Sequence, residues 1–235
     1  VIIPVLNEES TIVDVIKSLQ TLGLKMIRVV DNGSRDRTPQ LAAAAGAEVL
    51  YEATPGYGRA CWRGIEAMPE MVQWVVFCDG DGSDDIGALP HFLALTHDYD
   101  LLLGDRTATP AGRAVLTPVQ RFGNRLATTL IWWGWGYRYR DLGPLRLIRR
   151  SALEAIQMRD RGFGWTVEMQ VRAVECGLRI CELPVTYRRR QGGQSKISGT
   201  IRGSGQAGAI ILTTLGRLYL HRWWRILLSR GGPRP

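Results

Sequence analysis

The chain has 235 residues, 45% of them hydrophobic and 22% charged, a make-up that excludes a disordered or fibrous protein and allows one substantial core. Its net charge of +8 joins two unlike halves: residues 1–105 carry 7 Lys/Arg against 16 Asp/Glu, and residues 106–235 carry 23 against 6. An acidic half can hold a cation, and a basic half can meet the phosphates of a substrate or a bilayer. The Trp residues set among the basic ones rank nucleic acid below these partners. Cys61, Cys78, Cys176 and Cys181 form no CxxC pair and have no His partner, so reduced thiols in the cytosol are expected rather than disulfides or zinc. No segment has the layout of a signal peptide, which agrees with that address.

Val1–Leu6 is an apolar run that opens without an initiating Met, so a few upstream residues are expected before it; it stops at the polar turn Asn7-Glu8-Glu9. From Ser10 onward, Ile12, Val15, Ile16, Leu19 and Leu22 recur at helical spacing. Met26–Val30 reads as a second strand, halted by the turn formers Asp31-Asn32-Gly33-Ser34. Thr38-Pro39 reads as an N-cap with proline at the first helical position, opening an Ala-rich helix that ends near Gly46. Glu48–Tyr51 is a third strand; the turn Pro55-Gly56-Tyr57-Gly58, a helix and the buried-type strand Trp74–Cys78 follow. In the second half the pattern predicts a helix over Arg121–Tyr137, a strand over Pro144–Ile148, a capped helix over Ser151–Gln157 and a helix over Trp165–Cys176. Arg179–Tyr187 is extended, and Pro184 suits it to a sheet edge. A basic Gly/Ser loop, an apolar helix with Arg217 inside it and the segment His221–Arg230 complete the chain.

Strands alternating with helices predict an α/β fold with a mostly parallel central sheet flanked by helices. Ligands of such sheets sit beyond the carboxyl ends of the strands. Asn7, Glu8, Asp31, Asp79 and Asp81 all follow predicted strands, so one crevice collects them.

The sharpest feature is Asp79-Gly80-Asp81-Gly82-Ser83-Asp84-Asp85, directly after Cys78. Two carboxylates separated by one Gly at a strand end can turn towards a common point. Their hard oxygens suit Mg²⁺ or Mn²⁺, ions that keep water and substrate phosphates as further ligands. A solvated Asp/Gly turn is the alternative; the strand-end position favours metal. His91, His97 and His221 have no ligand spacing, and Gly192-Gly193-Gln194-Ser195-Lys196 lacks the order of a Walker loop.

Residues 1–9 (Val-Ile-Ile-Pro-Val-Leu-Asn-Glu-Glu), 29–38 (Val-Val-Asp-Asn-Gly-Ser-Arg-Asp-Arg-Thr) and Asp79-Gly80-Asp81 resemble the three N-terminal signatures of family 2 glycosyltransferases of the GT-A fold. Asp141-Leu142-Gly143-Pro144 with Arg146, the stretch Gly162–Met169 and the stretch Val185–Lys196 are similar to the polyprenyl-phosphate mannose and glucose synthase branch. The resemblance runs to about Ser204. It implies a Rossmann-like nucleotide-diphospho-sugar transferase fold over residues 1–200, with 121–140 as an inserted interfacial acceptor helix; the basic, apolar and Trp-containing composition of 201–235 makes it the expected membrane-associating segment.

The resemblance also implies roles. Pro4, Asn7 and Glu8 line the nucleotide pocket, Asp31 binds base or ribose, Asp79 touches the diphosphate, and Asp81 is the principal metal ligand. Arg106 approaches the phosphates. Arg188 or Arg190, Ser195 and Lys196 belong to a loop that closes over the donor or grips the acceptor phosphate. Ser83 stands where many relatives carry Gln, and Arg125 where the acceptor helix is expected to carry Ser. The implied reaction is transfer of glucose or mannose, with inversion, from a UDP- or GDP-hexose to a polyprenyl phosphate.

An alcohol acceptor needs a general base. A lipid monophosphate, with a second pKa of about 6, attacks already ionised and needs cations to hold it; Arg106, Arg121, Arg125, Arg188 and Lys196 supply them. Asp141 and Glu168 are the candidate bases for the other case, with ion pairing to neighbouring arginines as their alternative role. Leu126–Tyr137 holds three Trp between Arg121, Arg125, Arg138 and Arg140, a composition suited to an anionic membrane interface. Neither it nor Ala207–Leu220 is long and apolar enough to span. The expectation is a peripheral enzyme on the inner face of a membrane. A hydroxyl acceptor, or a non-enzymatic binder of anionic lipid or nucleic acid, are the alternatives.

Overall fold

The computed structural model describes residues 1–66, 68–189 and 201–230. Seven strands make one sheet: β1 Ile2–Val5, β2 Arg28–Asp31, β3 Glu48–Tyr51, β4 Trp74–Phe77, β5 Leu101–Asp105, β6 Arg146–Arg149 and β7 Ile180–Pro184, in the order β3-β2-β1-β4-β6-β5-β7. All neighbours are parallel except those of β6, which is antiparallel to both β4 and β5. Six strands therefore end at one edge, and β6 begins there with Arg146. That edge carries the site.

The strands alternate between two cores. Ile2, Val30, Val75, Phe77, Leu101, Leu103 and Ile148 face one side, where α3 (Tyr57–Ile65), α6 (Pro118–Trp135), α7 (Arg150–Ala155), α8 (Trp165–Glu175) and α9 (Ile201–Arg230) contribute. Ile3, Val5, Val29, Val76, Leu102 and Leu147 face the other, covered by α1 (Ile12–Thr21), α2 (Thr38–Ala44) and α4 (Leu89–Ala94). The short α5 (Pro110–Val115) precedes α6. Both faces being covered is what makes the strands read as continuous apolar runs.

The early elements match the sequence reading to within a few residues, and Pro184 does lie in an edge strand. Four details differ. Thr38 is not the cap of α2 but its first residue; Arg37 is the cap position, and Asp36 Oδ1 accepts from both the Thr38 amide and hydroxyl. The helix after β6 has no side-chain cap. β5, α4 and α5 were not foreseen. The apolar helix containing Arg217 and the segment His221–Arg230 are one continuous helix, with Arg217 exposed on it. Leu215 and Leu218 of α9 sit in the main core beside α6 and α8.

Helix α6 starts earlier than expected because Thr117 and Gln120 form a reciprocal capping box around Pro118, with the Gln120 amide 3.2 Å from Thr117 Oγ1 and the Thr117 amide 2.9 Å from Gln120 Oε1. It stops at Gly136, whose φ of 77° is the left-handed conformation that glycine adopts without steric cost.

Candidate active site

The turns after β1 and β2 are stitched together. Asn7, held at φ 55°, donates its amide to Ser34 Oγ at 2.8 Å and accepts from the Arg35 amide at 2.7 Å. Asp31, buried at the end of β2, accepts from the Ser34 amide at 3.1 Å. The Glu8 amide donates to Thr38 Oγ1 at 2.7 Å. Asn32 reaches the next loop, donating to the carbonyls of Glu52 and Thr54 and accepting from the Gly56 amide. Asn7, Glu8 and Asp31 are thus brought together at the ends of adjacent parallel strands, as their positions after apolar runs predict, and Pro4 lies inside β1 beside Val30.

One strand over, β4 delivers Asp79 and Asp81. Gly80 between them packs on β1: a Cβ there would meet Val5 Cγ1 at 2.7 Å, so the spacer has to be glycine. Asp81 is buried, and its Oδ1 accepts from the Ser83 amide at 2.9 Å and hydroxyl at 2.6 Å. Asp84 turns back, accepting from the Asp79 amide at 2.8 Å. Burial and the nearby Asp79 charge push the Asp84 carboxyl well above the usual carboxylate range. Carboxylates crowded in this way favour a bound cation. Among the described residues no group of three or more His, Cys, Asp or Glu is placed to hold a metal. Two hard carboxylates with the remaining positions left to diphosphate and water nevertheless fit Mg²⁺ or Mn²⁺. Tyr57, at the start of α3, aims its hydroxyl at Asp79 Oδ1, 3.4 Å away.

Arg106 follows β5 and meets Asp141 in a bidentate pair: Nε to Oδ2 at 2.7 Å, Nη2 to Oδ1 at 2.9 Å. The Arg106 amide also donates to Oδ2, at 2.9 Å. Burial opposes the guanidinium charge, but the Asp141 carboxylate outweighs it and keeps Arg106 above the ordinary arginine value. Gly143 is a close-approach position, where a Cβ would lie 2.6 Å from the Gly104 carbonyl. The Tyr187 ring stacks on Arg106, 4.9 Å from its Cζ. The segment bearing Tyr187 is tied to the Asp-rich loop: the Arg188 amide donates to the Ser83 carbonyl, and Thr186 donates twice to Asp85 Oδ2. Beneath them lies Arg146, wholly buried, donating to the carbonyls of Gly143 and Thr166; burial lowers its pKa to about 10.

Of the two candidate bases, Asp141 is consumed by Arg106. Glu168 accepts from the amides of Arg159 and Asp160 and sits 3.6 Å from Arg172. Ion pairing is the arrangement that both adopt. Arg121 and Arg125 are exposed on α6, and among the described residues neither makes an ion pair. Arg188 is exposed beside Ser83; Arg190, Ser195 and Lys196 lie outside the described residues. Sequence reasoning gave no role to Tyr57 or Tyr187, though each sits inside a motif it had quoted. A cavity of about 470 Å³ lies at the opposite edge of the sheet, lined by Met26, Arg28, Trp74 and Leu147. Convergence of charged groups, not depth, marks the site.

A parallel sheet with one antiparallel strand, ending in an Asp-Gly-Asp turn beside a stitched double turn, is the architecture of a GT-A glycosyltransferase. Glucosyl-3-phosphoglycerate synthase from Mycobacterium tuberculosis, solved with Mn²⁺, UDP and glucosyl-3-phosphoglycerate, superimposes with a TM-score of 0.74 at 23% identity, over 91% of this chain and 77% of that one. The chain belongs to glycosyl transferase family 2, whose profile matches residues 1–157. An uncharacterised glycosyltransferase of Mycobacterium bovis is 38% identical over 209 residues, 87% of this chain and 91% of that protein. A dolichyl-phosphate hexose transferase of Haloferax volcanii is 32% identical over 217 residues, covering 89% and 90%.

Proposed function

We propose that the protein transfers a hexose, with inversion, from a UDP- or GDP-sugar to a polyprenyl phosphate at the cytoplasmic face of a membrane. Residues 1–200 act as the catalytic unit, and 201–235 as the segment that associates with the membrane. Asp79 and Asp81 hold Mg²⁺ or Mn²⁺, which supplies charge to stabilise the leaving diphosphate. Pro4, Asn7, Glu8 and Asp31 seat the nucleoside, and Asp81 is oriented by Ser83. Arg106, fixed by Asp141 and Tyr187, presents a cation at the phosphate side of the site.

The observation that carries the acceptor reading is the engagement of both candidate bases. With Asp141 and Glu168 tied up in ion pairs and amide contacts, an acceptor that arrives already ionised suits the site better than an alcohol. The name of the Haloferax relative points the same way. A small hydroxyl acceptor is the second reading, favoured by the phosphoglycerate product held by the structural neighbour.

Calorimetric titration of UDP-glucose and GDP-mannose, each with and without Mn²⁺, tests the donor side. The expected result is Mn²⁺-dependent binding of one donor that is lost in Asp81→Ala. Absence of any such binding across a wider nucleotide-sugar panel sinks the transferase reading. Labelled donor with polyprenyl phosphate then tests the acceptor: an acid-labile phosphodiester product supports the first reading, an acid-stable glycoside the second.

A further inference from the structure

Thr214 is buried on α9, and a buried hydroxyl needs a hydrogen-bond partner. It finds one in Asp160, donating to Oδ2 at 2.9 Å. Asp160 belongs to the connection between α7 and α8, and three further bonds fix that turn. Its Oδ1 accepts from the Gly162 amide at 2.7 Å, and Glu168 Oε2 accepts from the amides of Arg159 and Asp160 at 2.9 and 2.6 Å. Gly164 makes room for them, since a Cβ there would collide with both Thr214 Oγ1 and the Asp160 carboxylate.

The turn faces the start of α3. The first amides of a helix have no partner within it. Here the Gly58 amide donates to the Gly162 carbonyl and the Arg59 amide to the Arg161 carbonyl, both at 3.0 Å. The approach is close enough to require glycine twice: a Cβ on Gly56 would lie 2.5 Å from the Arg161 carbonyl oxygen, and one on Gly58 2.8 Å from its carbon. Further along α3, the Arg161 guanidinium stacks over Trp62, 4.2 Å from the ring centre. The Gly58 and Arg59 amides are thereby withdrawn from any anion. What the turn delivers instead is the Tyr57 hydroxyl, 3.4 Å from Asp79 Oδ1.

We propose that Tyr57 is a positioning residue for Asp79, and that α9 helps to seat it through the bond from Thr214 to Asp160. A carboxylate that meets a cation works best when its orientation is fixed in advance, and hydrogen bonds from behind the ligand do this. Asp84 holds the backbone of Asp79 through its amide. The Tyr57 hydroxyl adds a hold on one carboxylate oxygen. Tyr57 in turn keeps its place because the carbonyls of Arg161 and Gly162 anchor the first turn of α3, and Asp160 shapes the segment that carries them. Helix α9 lies beyond residue 200, yet it belongs to the scaffold of the donor site. The inference rests on the reading above that Asp79 faces a cation and a nucleotide diphosphate.

Calorimetric titration of UDP and GDP, each with and without Mn²⁺, tests the role in the wild-type chain, Tyr57→Phe, Thr214→Val and the double variant. The quantity read is the gain in nucleotide affinity that Mn²⁺ brings. Tyr57→Phe is expected to cut that gain about 10-fold, within the usual range for a group behind a metal ligand, while metal-free nucleotide affinity and Tm hold. Thr214→Val keeps the side-chain shape and is expected to lose part of the same gain. The double variant is expected to lose no more than Tyr57→Phe alone, because the two act along one path. A Tyr57→Phe chain that keeps the full gain, or that loses metal-free affinity equally, overturns the proposal. Additive losses, or a Thr214→Val chain that matches the wild type, overturn the link to α9. A wild-type chain with no Mn²⁺ gain at all removes the metal reading itself, and this role falls with it.

Discussion

Ser83 shows how much a single side chain can decide at this site. Its amide and hydroxyl both hold Asp81 Oδ1, so in the proposed metal site it would orient the ligand rather than touch the ion. Ser83→Ala should leave the fold intact and weaken Mn²⁺ affinity by about 10- to 100-fold, the usual cost of losing an outer-shell partner. Calorimetry of Mn²⁺ in the presence of UDP or GDP measures it, and unchanged affinity would refute the role. The Arg106–Asp141 pair is the second such case. Asp141→Asn leaves a largely buried guanidinium without its carboxylate, and should cost about 3–5 kcal/mol of stability in urea unfolding. A loss under about 1 kcal/mol would mean that solvent or Tyr187 already carries the charge. Asp79 and Asp81 were legible in the sequence because their spacing and strand-end position lie within a few residues. The pairing of Arg106 with Asp141 was not, because the partners stand 35 residues apart and meet only through the sheet order.

At the level of elements, the contact between α6 and α9 is tight because a glycine makes room for a ring. Gly134→Ala places a Cβ about where the Tyr219 ring stands and should cost roughly 1–3 kcal/mol through overpacking. The companion Gly134→Ala/Tyr219→Leu variant should recover part of that loss in the same urea titration; no recovery would locate the damage elsewhere. The strands and helices of residues 1–78 were readable because each run is bounded by turn formers. β5 escaped notice because Leu101-Leu102-Leu103, buried on both faces, is a three-residue run without alternation. The capping box of α6 is written in Thr117 and Gln120, but a helix start at Arg121 lies three residues inside the true one and leaves the box unused.

Across the whole molecule, acid stability has an identifiable contributor. Asp100, just before β5, meets Arg149 at the end of the antiparallel β6 and Arg179 just before β7. Hydrogen bonds from Arg179 hold its pKa down to about 2. An unfolded Asp titrates near 3.9, so this contribution is full above about pH 4 and is lost as pH falls to about 2. Arg179 is half exposed, so solvent screens the pair and its contribution is small. Asp100→Asn should therefore lower Tm slightly at neutral pH and converge with the wild-type protein near pH 2. A difference that stays constant across that window would assign the effect to packing.

The lone antiparallel strand has a consequence for how the chain comes into being. β3, β2, β1 and β4 are complete by residue 77, so the half that offers Asp79 and Asp81 can assemble while the rest is still being synthesised. β5 cannot join them. Its neighbours are β6, more than 40 residues later, and β7, later still. Until then β4 presents an open edge and β5 an apolar run without a partner, the kind of surface that nascent chains lose to aggregation or lend to chaperones. The wait ends when β6 slides between them, and the same event carries Asp141 to Arg106. Insertion of β6 thus joins the two parts of the sheet and pairs Arg106 with its carboxylate, leaving only β7 to add at the edge.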